Sequence, residues 1–402
     1  FFSSRRRHTR YISVTGVQTC ALPIFEGAYV KEPQVGMHDW VASFDLNSLY
    51  PHLMMQYNIS PETLIEPSDY TPEMRDIISQ GVNVDNLLNG RVDTSKLKGA
   101  TLTPNGQFFR TDKQGFLPKM MEELYEDRKK FKKMMLKYKQ EYENEKDLSK
   151  KREIAKLVAR YDNLQLAKKL SLNSAYGVLG SQFFRFYDIR LALAVTQAGQ
   201  LSIRWIEGKL NNFMNNLLKT EKDYVIASDT DSIYLRLGEL VNTVFKAEQQ
   251  TDKNRIIAFM DKVCEEKIQP YIDKSYQDLA SYVRAYRQKM QMKRECLADK
   301  GIWTAKKRYI LNVFNNEGVA YQEPKMKVMG LEMVKSSTPQ AVREKMYELI
   351  RLVVDSDEST VQNFILQFKN DFKSLPPEEV SFPRGVNGLK DYADSAQVYK
   401  DR

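Results

Sequence analysis

Apolar and polar positions follow two rhythms along this chain. Around Tyr224–Leu235 two short β-branched runs, Val225-Ile226-Ala227 and Ile233-Tyr234-Leu235, flank Ser228-Asp229-Thr230-Asp231-Ser232, which predicts strand, tight turn, strand. Val41–Phe44 is a second apolar strand, ending on Asp45. Thr101–Phe109 encloses Pro104-Asn105-Gly106 and reads as a hairpin, and Asn89-Gly90 is a further hairpin signal. From Gly115 to Gly177 the rhythm changes to helical. Leu117, Met121, Leu124, Phe131, Met135 and Tyr138 recur at three- and four-residue steps, as do Ile154, Leu157, Tyr161 and Leu164. These predict two amphipathic helices joined within Gln140–Arg152 as an antiparallel hairpin. Residues 178–222 read as further helix, and 240–300 as mostly polar helix ending at Met290–Glu295. Trp303–Leu311 reads as one strand, with Lys307 and Tyr309 on one face and Lys306 and Arg308 on the other. Thr338 is placed to cap a helix with Pro339 at its first position.

The chemistry concentrates at the acidic turn. Asp229 and Asp231 sit together at a hairpin tip, where carboxylates repel unless a cation neutralises them, and hard oxygen ligands suit Mg²⁺. A solvated turn is the alternative, since Asp favours turns. After Asp45, the amides of Leu46 to Leu49 can form an anion nest. Tyr50 precedes Pro51, which biases it towards an extended backbone; a packed core aromatic is the other reading. Arg128 and Lys132 share a face of the first long helix, and Lys169, Asn173 and Tyr176 one of the second. Cations on facing helices could clamp a triphosphate, or simply face water.

Composition changes this picture little. The chain has 402 residues, 42% hydrophobic and 28% charged, ordinary for a globular protein. Cys20, Cys264 and Cys296 form neither a zinc pattern nor a disulfide framework, and His8, His38 and His52 form no metal cluster. No apolar run reaches the ~18 residues of a spanning helix. The net charge of +9 fits a polyanionic partner. Residues 1–24 hold four Arg and no acid, and they resemble translated adapter sequence joined to a gene fragment; without them the surplus is five. An Arg-rich arm for nucleic acid is the rival reading of that stretch.

Three segments together carry a resemblance. Ser43-Phe44-Asp45-Leu46-Asn47-Ser48-Leu49-Tyr50-Pro51, Lys168-Lys169-Leu170-Ser171-Leu172-Asn173-Ser174-Ala175-Tyr176-Gly177 and Ser228-Asp229-Thr230-Asp231-Ser232 resemble motifs A, B and C of family B, polymerase α-like, DNA polymerases, in the family's order. The version here is most similar to those of T-even-type tailed phages. The resemblance implies an α+β fold of right-hand type. Residues 25–115 and 178–325 would form the palm, 116–177 helical-hairpin fingers, and 326–402 part of a helical thumb. It implies template-directed transfer of dNMP from dNTP to a primer 3′-OH, with two Mg²⁺ ions that Mn²⁺ can replace. Asp45, Asp231 and the backbone carbonyl of Leu46 would hold metal, with Asp229 and Lys169 as further catalytic groups. Ser48, Leu49, Tyr50, Arg128, Lys132, Lys169 and Asn173 would bind nucleotide. Tyr176, Gly177 and Gly27 would meet the base pair or template. Lys306, Lys307, Arg308, Tyr309 and Lys327 would meet DNA.

The sequence departs from the family at one point. Where an additional acidic pair is usual, Glu295 is present but Lys293 occupies the other position, so no extra carboxylate is assigned. The family's exonuclease part would precede residue 25, and its thumb would run past residue 402. Proofreading and the carboxyl-terminal tail that meets a sliding clamp are therefore expected to be missing. The implied setting is a monomer with primer-template DNA and dNTPs, away from membrane, in the cytoplasm of a phage-infected bacterium. Two rivals stand beside this reading. One is an inactive DNA-binding remnant of such a polymerase. The other is another two-metal palm enzyme such as a reverse transcriptase, whose turn would read Tyr-x-Asp-Asp.

Overall fold

In the computed structural model the described residues are 27–246 and 252–384; the expected leader, 1–24, lies outside them, as do residues 385–402 of the expected thumb. In chain order the elements are β1 (Gly36–Leu46), α1 (Leu49–Tyr57), α2 (Pro72–Ser79), α3 (Val84–Leu88), β2 (Ala100–Leu102), β3 (Phe108–Arg110), α4 (Phe116–Asn144), α5 (Leu148–Leu179) and α6 (Ile189–Leu218). There follow β4 (Val225–Asp229), β5 (Ser232–Arg236), α7 (Gly238–Val244), α8 (Lys253–Val263), α9 (Gln269–Tyr282), β6 (Met292–Ala305), β7 (Arg308–Asn316), β8 (Val319–Met329), α10 (Gln340–Asp355), α11 (Glu358–Phe372) and α12 (Pro377–Val380). The mixture of long helices and antiparallel sheet is α+β.

The chain divides into two compact units. The first takes residues through Tyr29, Ser48–Trp205 and Tyr276–Met290; the second takes Val30–Asn47, Ile206–Ser275 and the chain from Gln291.

In the first unit α4 and α5 form the antiparallel hairpin the periodicity predicts. Tyr138 stacks on Tyr161, with ring centroids 5.5 Å apart, and Lys168 pairs with Asp127 at 2.8 Å. Their connection, Glu145–Asp147, is closed by the Asp147 carboxylate, which accepts from the amides of Ser149 and Lys150. The start of α4 is capped from a distance. Asn58 Oδ1 accepts the Gly115 amide at 2.8 Å, and Glu62 accepts the Phe116 amide. Gly115 must be glycine, because a Cβ there would lie 2.5 Å from Ser60 Cβ.

The second unit holds a six-stranded antiparallel sheet in the order β4-β5-β1-β6-β7-β8. β1 lies inside it, so Val41–Phe44 are all buried, with Ser43 the one polar residue among them. The core on one face gathers Val41, Ile226, Tyr234, Trp303, Tyr309 and Leu311.

Several expectations are corrected. Asn89-Gly90 closes α3 and is no hairpin, whereas Asn105-Gly106 does join β2 to β3. Met292–Glu295 is the start of β6 and not the end of a helix. Trp303–Leu311 is two strands joined by a turn at Lys306-Lys307, so the expected alternation of faces does not hold; β6 and β7 are interior strands. The turn has no Gly or Asn, but Lys307 adopts φ 61°. Its conformation is set from a distance by Gly330 (φ 70°), where a Cβ would lie 2.1 Å from the Lys307 carbonyl oxygen. Gly177 lies within α5, which ends at Leu179. α10 starts at Gln340, and the Thr338 hydroxyl bonds the Glu332 carbonyl instead of capping it.

Candidate active site

Asp45 ends β1, opposite Ser232 of β5 on one side and Lys293 of β6 on the other. Asp229 closes β4, and Thr230-Asp231 is the two-residue turn into β5, with Thr230 at φ 59°. The Asp231 amide donates to the Asp229 carbonyl at 2.6 Å, and the Leu46 amide donates to the Asp231 carbonyl at 2.8 Å. The end of β1 is thereby tied to the acidic turn, so Asp45, Leu46, Asp229 and Asp231 are brought together in the second unit.

Their electrostatics are those of crowded acids. Burial, then the negative charges of Asp231 and Glu295, push the Asp45 carboxyl up to about 7. Burial, then Asp229 and Glu295, push Asp231 up to about 6. Glu295, set aside in the sequence, thus belongs to the group. Its carboxylate takes Lys327 Nζ at 2.6 Å and the Ser43 hydroxyl at 3.2 Å. Lys293, the register partner of Asp45, is exposed. The sequence reading set Glu295 aside because Lys293 stands where the family has a second acid; only the pairing of β6 with β1 shows Glu295 close to Asp45.

The residues expected to meet DNA are held by acids or buried. Lys307 pairs with Asp229 at 3.0 Å, Lys306 with Glu32 at 3.0 Å and Arg308 with Glu332 at 2.6 Å. Tyr309 is buried, its hydroxyl 2.7 Å from that of Tyr234.

In the first unit a second set of expected residues meets. Ser48 precedes α1 in left-handed backbone, φ 48°. Its hydroxyl accepts from Arg128 Nη1 at 3.0 Å. The Tyr50 ring lies 4.5 Å from that of Tyr176, which is buried. Leu49 is buried, whereas Lys132, Lys169, Asn173 and Gly177 are exposed, and among the described residues no ion pair holds Lys132 or Lys169. The Gly27 carbonyl accepts from Gln200 Nε2 at 2.6 Å.

The donor set suits a hard divalent ion. Mg²⁺ takes one or two carboxylates and leaves its other positions to water and phosphate oxygens. Two half-buried carboxylates, raised first by burial and then by neighbouring acids, have that composition. Among the described residues no group of three or more His, Cys, Asp or Glu is close enough to form an all-protein cage.

The second unit thus holds an antiparallel sheet with an acid pair at a strand end, and the first a long helical hairpin bearing cations. The family model for DNA polymerase family B matches residues 4–384, and the chain belongs to that family. The match begins inside the first 24 residues. The chain is 33% identical to the DNA-directed DNA polymerase of Escherichia phage RB69 over 92% of its length, and 30% identical to that of Enterobacteria phage T4 over 92%. It spans 44% and 45% of those two proteins. Over 56% of its length it is 31% identical to the DNA polymerase delta catalytic subunit of Dictyostelium discoideum.

Proposed function

We propose that this chain is the polymerising part of a template-directed DNA polymerase serving phage replication. The observation that carries the reading is the Asp45–Asp231 pair, two half-buried acids from separate strands with raised proton affinity, on a family B chain. Such a pair is stable in its charged form only with a cation beside it.

The reaction forms a bond between the primer 3′-oxygen and the α-phosphorus of a dNTP. The bond to the β-phosphate breaks, and pyrophosphate leaves with the electron pair. Mg²⁺ bound at the two carboxylates and the Leu46 carbonyl would supply acidification of the 3′-OH and charge neutralisation at the leaving group. Asp45 and Asp231 hold the ions in this reading. Asp229, paired with Lys307, shapes the turn that presents Asp231. Arg128, Lys132 and Lys169 attract the triphosphate, with the Ser48 and Leu49 amides at the start of α1. Tyr50 and Tyr176, in ring contact, form a wall for the sugar and the new base pair, beside Asn173 and Gly177. Lys306, Lys307, Arg308 and Lys327 position the duplex backbone, Tyr309 lies beneath them in the core, and Gly27 lies beside the template.

In the same reading the second unit's sheet belongs to the palm, the α4–α5 hairpin is the fingers and α10–α12 belong to the thumb. Residues 25–115 and 178–325 are then palm, 116–177 fingers and 326–402 thumb. Its place is the cytoplasm of an infected bacterium; among the described residues no helix is long and apolar enough to cross a membrane.

The test is single-nucleotide incorporation on four primer-templates that differ in the first unpaired base, with Mg²⁺ and one dNTP at a time. Incorporation of the complementary dNTP only is expected. Incorporation independent of template, or DNA binding by folded protein without any product, would overturn the assignment.

A further inference from the structure

His52 is a buried polar residue for which the proposed mechanism has no use. It lies on the first turns of α1, with 5% of its surface exposed. Its Nδ1 is 3.0 Å from the carbonyl oxygen of Ser48, four residues back. A carbonyl only accepts, so Nδ1 carries the proton and donates. The ring meets the edge of Tyr125 from α4 at 4.5 Å, with an 86° angle between planes.

Ser48 is the residue this contact holds. It is a non-glycine residue in left-handed backbone, a conformation that needs support from its surroundings. It has two side-chain supports. His52 holds its carbonyl, and Arg128 Nη1 holds its hydroxyl at 3.0 Å. The Arg128 Nε is buried with no partner, so the guanidinium keeps a donor for something further.

We propose that His52 is a positioning residue for the triphosphate cradle formed by Ser48, the first amides of α1 and Arg128. The inference rests on the nucleotide-binding reading of that cradle. By fixing the Ser48 carbonyl, His52 fixes the peptide plane that aims the next amide, and it holds the hydroxyl within reach of Arg128. The His52 amide also donates to this carbonyl, at 3.2 Å; without the shorter imidazole bond the Ser48 peptide plane is held by that amide alone, and its hydroxyl is presented less firmly to Arg128.

The Ser48 carbonyl fixes the Nδ1–H tautomer, and the surroundings disfavour a second proton on the ring. Burial, then the charges of Lys289 and Arg128, lower its proton affinity, against the raising effect of the Ser48 bond. Glu122 of α4 is taken up by Lys289 at 2.7 Å, Gln114 at 2.9 Å and Arg287 at 3.6 Å. α6 presents Gly199 to Leu49, Tyr50 and Leu53 of α1 and brings no charge to that contact.

The test uses equilibrium binding of dATP with Mg²⁺ to the full chain, which does not depend on turnover. Four proteins are compared: wild type, Arg128→Ala, His52→Leu and His52→Asn. Leu keeps the bulk and removes the donor. Asn restores a donor to the i−4 carbonyl, as Asn89 does to the Asp85 carbonyl in this protein at 2.8 Å. His52→Leu is expected to weaken dATP binding about tenfold, the worth of one well-placed hydrogen bond, and His52→Asn to recover most of it. Wild type labelled at the histidine ring nitrogens should show a protonated Nδ1 and a bare Nε2 at pH 7.5, with a titration midpoint below that of an ordinary histidine. An Nε2-protonated ring, or equal dATP affinity in wild type and folded His52→Leu while Arg128→Ala is weakened, would overturn the proposal. Equal affinity in wild type and Arg128→Ala, or no binding by wild type, would overturn the cradle reading itself.

Discussion

Asp45 and Asp231 stand where two full negative charges are costly, and this has a measurable pH signature. Both acids hold their protons more tightly in the folded protein than in the unfolded chain, where an Asp titrates near 3.9. Between about pH 4 and pH 7 the metal-free folded state therefore binds protons that the unfolded state has released. Its stability should fall as pH rises through that window and level off above the Asp45 value of about 7. Asp45→Asn removes one of the crowded charges. In EDTA at pH 8 that variant should melt roughly 2 °C or more above wild type, with the difference closing by pH 4.5. Mg²⁺ should stabilise wild type more at pH 8 than at pH 5.5, because protons and metal compete for the same oxygens. A melting curve of the variant identical to wild type at pH 8 in EDTA would show that the two carboxylates do not repel.

The elements differ in how much of them was legible in the sequence. The α4–α5 hairpin was, because apolar residues at three- and four-residue steps need only local physics, and Asp147 ends the connection with a local cap. The β4–β5 hairpin was too, because β-branched runs on either side of an acidic turn leave little else. The Lys306-Lys307 turn was not legible. It contains no turn-forming residue, and its left-handed Lys307 is accommodated by Gly330, 23 residues downstream, through a contact no local pattern encodes. Glu295 was set aside because Lys293 breaks the expected acidic pair, and its closeness to Asp45 depends on β6 lying beside β1. The cap of α4 by Asn58 and Glu62 is likewise long-range. Gly330 gives the element-scale prediction. Gly330→Ala should cost more than the ~1–2 kcal/mol of left-handed backbone alone, because the new Cβ also displaces the Lys307 carbonyl. Urea unfolding should show that loss; a loss below about 0.5 kcal/mol would mean that the turn does not depend on this glycine.

At the scale of the whole chain, the candidate residues are distributed over two units. The carboxylates and all the basic residues expected to meet DNA lie in the second, and the Ser48–Arg128 pair and the helical hairpin in the first. The motif A segment is shared, with Asp45 and Leu46 in one unit and Ser48 to Tyr50 in the other. The resemblance of three motifs in order singled out the acids and the cations as candidates; spacing alone left the cations as a face that could equally meet water. It did not give the ion pairs that hold Lys306, Lys307, Arg308 and Lys327, because each joins residues distant in the chain.

The measurement that bears most directly on this account is single-turnover primer extension by the full chain and by Asp231→Asn, with Mg²⁺ and all four dNTPs. Primer-template binding is recorded for both proteins. Wild type should extend the primer. The variant should bind the duplex with unchanged affinity and lose at least about a thousandfold in rate, since a metal-holding carboxylate contributes several kcal/mol of transition-state stabilisation. Extension by Asp231→Asn at the wild-type rate would contradict the assignment of the reaction to this turn.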